Sequence, residues 1–472
     1  MIARFTAIVP SELFRESRLA AGFPCYSGLS EVFVMRLVCS ALLFVLLATP
    51  VDAGSAAANG TSRGRPVDRA PEAGIGPCGT DICETSQPHA CVEVTNAETA
   101  WRTCISNQGR RGIVLGPTDL RRTRTGPWMR VLREAGIADI FVPYHGLGLR
   151  LYDNETTSAE SIREVTPDDA GPNGSILTLS GQPVPQIVAE SNDRGIAWLC
   201  KEAKSISRRG RELVLWGVMD AANYDFIIEY RLRDDGSIGF RLGATGFNNP
   251  YFPPRSTTEP HMHDVLWRID VDLNGPGGDS ARQFSHLETP ETPRFARDVE
   301  EPFNGGREGV ATWDPEKFST IGVVDETTNA HGNRIGYVMR VSSSGLARHY
   351  GGLAREEKFT LSDFAVTTYK KSERDAFFDT ARVRYLQPDQ YLLGQDHPGM
   401  GVSDGESVEE SDIILWHRSS AHHHPHDEDH APGDPSDLMT GITNVHWQGV
   451  DLEPRNLFDH NPLGGPSRAQ CW

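Results

Sequence analysis

Apolar and polar residues alternate in short runs along much of the chain from about residue 109 onward. Because successive side chains of a β-strand point to opposite faces, a period of two is typical of half-buried strands. Clear runs of this kind lie at 212–218, 226–232, 238–242, 266–273 and 335–341. The chain shows no internal repeat and no sustained helical period. The pattern predicts a mainly β fold, a large antiparallel β-sandwich.

One turn of this fold is specified by its own residues. Asp234-Asp235-Gly236 separates the second of these runs from the third. Asp and Gly tolerate the backbone angles that tight hairpin turns require. We therefore expect a hairpin at this position.

The N-terminal region has a different pattern, that of an exported chain. Met35-Arg36 precedes an apolar run at 37–48, and Val51-Asp52-Ala53 supplies the small residues at which a signal peptidase cuts. Residues 1–34 do not resemble the start of such a peptide, because Glu12, Glu16 and Glu31 lie among them, so Met35 is the expected start. We predict that residues 1–53 are a leader and that the chain is secreted. The apolar run is too short to span a bilayer, so no membrane association is expected after cleavage.

Composition divides the remaining chain into three parts. Residues 54–77 are rich in Gly, Ala, Pro and Arg and are expected to be a flexible linker. Residues 78–108 form a short cysteine-rich segment, and 109–472 are expected to form the sandwich. An even number of cysteines in an exported chain predicts disulfides; a zinc site in the cysteine-rich segment is the less favoured alternative. The six cysteines that follow the predicted leader are Cys78, Cys83, Cys91, Cys104, Cys200 and Cys471.

Size and charge limit the classes of function. A chain of 472 residues with 38% hydrophobic content can bury a substantial core. Its formal net charge of −18 disfavours nucleic acid and anionic membranes as partners.

Two histidines on a predicted strand are the first candidate metal ligands. His261 and His263 are two residues apart, so their side chains share one strand face and can bind one metal. Imidazole is a suitable ligand for copper. Taken alone, the pair is more often two ordinary strand histidines. Asn223-Tyr224-Asp225 lies upstream, with Tyr224 thirty-seven residues before His261.

A second group of histidines lies at 422–430, in the run HHHPHDEDH. Such a run can be a solvated loop that binds metals adventitiously. Acidic residues form a further candidate site, because Asp270 and Asp272 share one strand face. Like charges crowded there are costly unless a hard cation takes their oxygens as ligands. The alternative is an exposed acidic strand.

Taken together and in order, these segments resemble the copper amine oxidases. Further matching segments are GRRGIVLG at 109–116, IFVPYHG at 140–146, DRGIAWL at 193–199 and LEPRNLFDHNP at 452–462. The resemblance implies that copper is held by His261, His263 and His423, and that Tyr224 is oxidised to a topaquinone cofactor within its Asn223 and Asp225 flanks. It also implies a calcium-type site formed by Asp270, Val271, Asp272, Asp412 and Ile413, in which Val271 and Ile413 supply backbone carbonyls.

The implied activity is oxidation of small primary amines by dioxygen, yielding an aldehyde, ammonia and hydrogen peroxide, by a protein that is a homodimer. A carboxylate base must remove a proton from the substrate α-carbon. Asp153 is the best candidate by order along the chain, with Asp168 and Asp169 as fallbacks. The segment around Asp153 is shorter than in the family, and the small domains that usually precede the sandwich are mostly absent. A non-catalytic relative that serves as a structural or binding module is therefore the alternative.

Overall fold

The computed structural model describes residues 74–96, 98–143, 150–153, 157–200, 206–221, 223–247, 260–289, 292–314, 316–317, 319–341, 362–370, 405–429 and 441–471. The predicted leader at 1–53 and most of the predicted linker lie outside the described residues.

Strands dominate this part of the chain. They are β1 (Gly74–Pro77), β2 (His89–Thr95), β3 (Ala100–Asn107), β4 (Ile113–Arg121), β5 (Trp128–Pro143), β6 (Arg150–Tyr152), β7 (Gly174–Leu177), β8 (Ile187–Cys200), β9 (Ile206–Ala221), β10 (Tyr224–Arg233), β11 (Ile238–Gly246), β12 (His261–Val271), β13 (Asp279–Thr289), β14 (Thr292–Pro302), β15 (Gly309–Ala311), β16 (Thr320–Thr328), β17 (Arg334–Val341), β18 (Phe364–Thr368), β19 (Ile413–His423) and β20 (His446–Arg455). Short 3-10 turns lie at Gly109–Arg111, Ala159–Ser161, Phe303–Gly305 and Asp427–Asp429, and the helix α1 covers Arg468–Cys471.

The strands form two ten-stranded antiparallel sheets. The first has the order β1-β2-β3-β4-β5-β12-β19-β18-β15, with β6 paired to the end of β5. The second has the order β14-β13-β16-β17-β20-β11-β10-β9-β8-β7. The predicted antiparallel β-sandwich is confirmed. The hairpin predicted at Asp234-Asp235-Gly236 is also present, because β10 pairs with β11 across it and Gly236 has a φ of 89°.

One apolar core joins the inner faces of the two sheets. Trp267 of β12 and Tyr230 and Phe240 of the second sheet are fully buried and pack edge to face. Polar atoms at this interface are satisfied across it, since the Tyr230 hydroxyl donates to the carbonyl of Ile113 at 2.6 Å. The two sheets are therefore fixed relative to each other where their strands carry the candidate site.

The cysteine-rich segment is part of the first sheet. Strand β3 pairs with β4, which extends the sheet directly into the region predicted to be the sandwich. Strand β1 falls within the last four residues of the range predicted to be a linker, because Gly74–Pro77 pairs with β2. The predicted disulfides are present as Cys78–Cys91, Cys83–Cys104 and Cys200–Cys471. None of the helices in the described ranges is long and apolar enough to cross a bilayer.

Candidate metal and cofactor centre

Two neighbouring strands bring the three candidate copper ligands together. His261 is the first residue of β12, His423 is the last residue of β19, and the two are direct partners in the antiparallel ladder. Their rings lie 4.8 Å apart between centroids, and the His263 ring is 4.9 Å from that of His261. All three side chains are buried on the face that meets the second sheet. Within 422–429, the part of the His-rich run that the structure describes, His423 is buried while His422 and His424 are exposed.

Tyr224 reaches this cluster from the opposite sheet. It begins β10, and its side chain is only 2% exposed. The phenol oxygen lies 3.0 Å from Nε2 of His261 and 3.0 Å from Nδ1 of His423, and the ring is edge-on to His263 at 4.7 Å. A metal bonded to these nitrogens would therefore lie next to the phenol oxygen. The ladder partner of Tyr224 is Gly246, where a Cβ would lie 2.2 Å from the carbonyl oxygen of Asn223, so this approach requires glycine.

His263 has the burial and the unpartnered ring nitrogens that are typical of a metal ligand. It is fully buried, and neither of its ring nitrogens meets a hydrogen-bond partner among the described residues. Burial, followed by the neighbouring histidines, holds the pKa of His263 well below its usual value. The neutral imidazole is the form that binds metals, and buried polar atoms are normally satisfied. The donor set of three imidazoles and one phenol thus fits copper.

The orientation of the His423 ring is fixed by a carboxylate. Its Nε2 contacts Oδ2 of Asp429 at 3.1 Å, which leaves Nδ1 directed at Tyr224. Asp429 is buried in the short turn that follows β19. Metal-binding histidines commonly use their second nitrogen in this way, which fixes the tautomer. Asp429 belongs to the His-rich run, but the sequence indicated no role for it.

The residues beside Tyr224 have separate contacts. The Asn223 side-chain amide donates to the carbonyl of Phe247 at 2.7 Å, which ties the start of β10 to the end of β11. Asp225 points to the opposite face of β10 and is partly buried, and this burial raises its pKa against the opposing effect of Arg163. Asn223 thus positions the Tyr224 backbone.

The candidate base lies two strands away from the histidines. Tyr152 of β6 pairs with Phe141 of β5, which pairs in turn with Asp264 of β12. Asp153 directly follows β6 and is partly buried, and desolvation raises its pKa to about 7. The fallback residues Asp168 and Asp169 are both exposed. Their exposure makes them poorer candidates, while Asp153 as base stays a prediction.

A carboxylate cluster occupies the other end of the same two strands. Val271 of β12 pairs with Ile413 of β19, so Asp272 and Asp412, which follow and precede these residues, lie close together. Asp270, Asp272 and Asp412 each have one buried oxygen without a hydrogen-bond partner in the described part of the chain. Burial raises the pKa of Asp270 to about 7 and that of Asp272 to about 6. These unpartnered oxygens fit a hard cation such as calcium.

Two arginines and a fourth aspartate border this carboxylate cluster. Arg268 pairs with Asp270 at 3.2 Å, and Arg133 lies 3.8 Å from Asp412. Asp279 is fully buried with one unpartnered oxygen, and desolvation raises its pKa to about 9. Asp279 was not predicted from the sequence. It lies beyond the end of β12, after a glycine-rich turn whose path the sequence does not fix.

The outer face of the histidine strands is held by a buried ionic network. The Arg418 guanidinium bonds to Asp264 at 3.2 Å and to Asp363 at 3.0 Å, and the Ser420 hydroxyl donates to Asp264 at 2.5 Å. Asp264 directly follows His263, and Arg418 lies on β19. The backbone that carries the histidines is therefore braced from behind.

Comparison with known proteins agrees with this geometry. The family profile described as copper amine oxidase, enzyme domain, matches residues 190–469. Curated relatives include primary amine oxidase 2 of Arabidopsis thaliana, 23% identical over 78% of this chain and 58% of its own, and histamine oxidase of Arthrobacter globiformis, 24% identical over 82% and 60%. The chain thus spans about three fifths of the length of these relatives.

Solved structures share the fold. A copper-containing benzylamine oxidase from Hansenula polymorpha superposes with a TM-score of 0.58 at 16% identity, covering 79% of this chain and 60% of that one. An amine oxidase from Aspergillus nidulans gives a TM-score of 0.58 at 18% identity, covering 79% and 52%. Because the family profile covers more than half of the chain, this protein belongs to the copper amine oxidase family.

Proposed function

We propose that this protein is a secreted copper-dependent primary amine oxidase. It would convert small primary amines, dioxygen and water to aldehydes, ammonia and hydrogen peroxide, with water supplying the aldehyde oxygen. The observation that carries the proposal is the convergence of the Tyr224 hydroxyl with ring nitrogens of His261 and His423, each 3.0 Å away. Packing alone does not require two imidazole nitrogens beside the hydroxyl of a buried tyrosine. The oxidation of a tyrosine by a bound copper does require metal ligands at that position.

The residues of the site would have three separate roles, as metal ligands, as positioning residues and as the base. His261, His263 and His423 would hold the copper, which supplies the oxidative chemistry that turns Tyr224 into topaquinone. Asp429 orients His423, and Asn223 anchors the backbone before Tyr224. Asp153, with its pKa raised to about 7, would accept the proton from the substrate α-carbon. A general base works best when its pKa lies near the working pH.

The second cation, the location and the assembly complete the proposal. Asp270, Asp272 and Asp412, with the carbonyls of Val271 and Ile413, would bind calcium in a structural role. The predicted leader supports secretion, and the three disulfides are of the kind that persists in an oxidising compartment. The relatives include a primary amine oxidase and a histamine oxidase, which supports an amine as substrate. A homodimer is proposed from the family.

The test is cofactor formation. Copper-loaded protein in air should develop visible quinone absorbance and form an adduct with phenylhydrazine, and Tyr224→Phe should do neither. Tyr230→Phe is the matched control, because Tyr230 is a buried tyrosine of the same strand whose hydroxyl bonds to the carbonyl of Ile113. A wild-type protein that binds copper fully yet stays colourless would overturn the proposal and favour a non-catalytic binding module.

A further inference from the structure

A fourth histidine, His446, lies beside the buried cluster and is itself half-buried. It begins β20 and pairs with Ala244 of β11, which pairs in turn with Phe226 of β10. Directly opposed residues in a sheet share a face, so His446 projects into the same interior as Phe226 and Tyr224. Its ring lies 4.9 Å from that of His423.

One ring nitrogen of His446 is placed as a candidate metal ligand. Its Nε2 is buried and has no hydrogen-bond partner within the described residues. Both ring nitrogens of His263 share this condition. Three unpartnered imidazole nitrogens in one interior are costly unless something binds them.

A second residue of β20 supports the same centre. Gln448, two residues after His446, is fully buried and donates from Nε2 to the backbone carbonyl of His263 at 3.0 Å. This bond fixes β20 against β12 at the level of the candidate ligands. The other amide atom of Gln448, Oε1, is buried without a partner among the described residues. Because His446 and Gln448 are two residues apart on β20, their side chains lie on the face of the strand that meets β12.

We propose that His446 is a fourth imidazole ligand of the metal, so that this chain holds copper through His261, His263, His423 and His446. The inference rests on the proposed function for the identity of the metal. Four nitrogen donors match the tetragonal arrangement that Cu(II) favours. Copper binding would then not require Tyr224, whose hydroxyl would lie beside a metal already held by four imidazoles.

The experiment uses the full chain carrying Tyr224→Phe, in which no cofactor forms and copper stays as Cu(II). Electron paramagnetic resonance and X-ray absorption on the Cu(II)-loaded protein should report four imidazole nitrogens. Adding His446→Gln should reduce the count to three and weaken copper binding by about 10–100-fold. His424→Gln is the matched control: His424 is exposed, its ring lying 6.0 Å from that of His422, and its loss should change neither the count nor the affinity.

Three imidazoles in the protein with His446 intact, or an unchanged count after His446→Gln, would overturn the inference while leaving the copper site in place. The count on the intact His446 protein decides the matter even if His446→Gln fails to fold. Failure of the proposed function would give a different result. The wild-type chain would then not bind copper stoichiometrically, which would overturn both proposals.

Discussion

Strands β12 and β19 carry a candidate metal site at each end, and the two ends differ in every chemical respect. At one end, His261 and His423 are ladder partners; at the other, Val271 and Ile413 are. Eleven strand residues separate the ends by roughly 30 Å. The histidines occupy odd positions of β12 on the inner face, whereas Asp270 occupies an even position on the outer face.

The comparison shows how burial prepares opposite donor types for metals. At the histidine end, desolvation lowers the pKa of His263, which favours the neutral imidazole that copper binds. At the aspartate end, desolvation raises the pKa of Asp270 and Asp272, which makes the carboxylates costly to ionise without a cation. The first end needs no charge compensation, whereas the second does.

We expect the largest effect from replacing the candidate base, a change that should reduce turnover without affecting metal binding. Asp153→Asn should reduce turnover by about 10²–10⁴-fold, because an amide cannot accept the substrate proton. Copper content, quinone absorbance and the second cation should all be unchanged, as measured by metal analysis and phenylhydrazine reaction. In the wild type, kcat/KM should rise as pH increases through about 7, since Asp153 works deprotonated. Asp168→Asn, at an exposed carboxylate, is the control. Equal turnover in Asp153→Asn and wild type would place the base elsewhere.

The sequence predicted the sandwich and the histidine end better than it predicted their surroundings. Four of the five predicted runs lie within strands, and the fifth, 266–273, extends two residues beyond the end of β12. This agreement is expected because alternating burial is a local property that the sequence records directly. Asp429 escaped prediction because its contact with His423 depends on the turn that the chain makes after β19, which the alternating pattern does not record. His446 reaches the site only because β20 pairs with β11, and that pairing crosses about two hundred residues of chain. The aspartate end was predicted for Asp270, Asp272 and Asp412 but not for Asp279.

A smaller effect is expected from a change that lowers copper affinity at the histidine end without removing a ligand. Asp429→Asn removes the carboxylate that holds Nε2 of His423 at 3.1 Å, so the ring loses its fixed tautomer and orientation. Copper affinity should fall by about 10–100-fold in competition titrations. Asp427→Asn, in the same turn but exposed, should bind copper as the wild type does. Calcium-dependent stability should be the same in both variants, because the aspartate end is remote; a loss of that stability in Asp429→Asn would break the independence of the two ends.

The smallest effect is expected at the aspartate end. A cation bound only by the folded state at ten times its Kd adds about 1.4 kcal/mol of stability. For a domain of this size that is a rise in Tm of about 2 °C. Calorimetry with calcium, and with a chelator that leaves copper bound, measures the difference. Asp412→Asn should remove the calcium response, while Asp168→Asn should keep it.

The pH dependence of this difference sharpens the comparison further. Asp270 and Asp272 have folded-state pKa values of about 7 and about 6, above the ordinary value for an aspartate. Between that ordinary value and about 7 the folded state therefore binds more protons than the unfolded state, so the cation-free protein loses stability as pH rises through this window. Bound calcium removes the penalty by compensating the ionised carboxylates. The gain in Tm from calcium should thus be small at pH 5 and larger at pH 8, and a gain that shrinks with rising pH would argue against a cation at these aspartates.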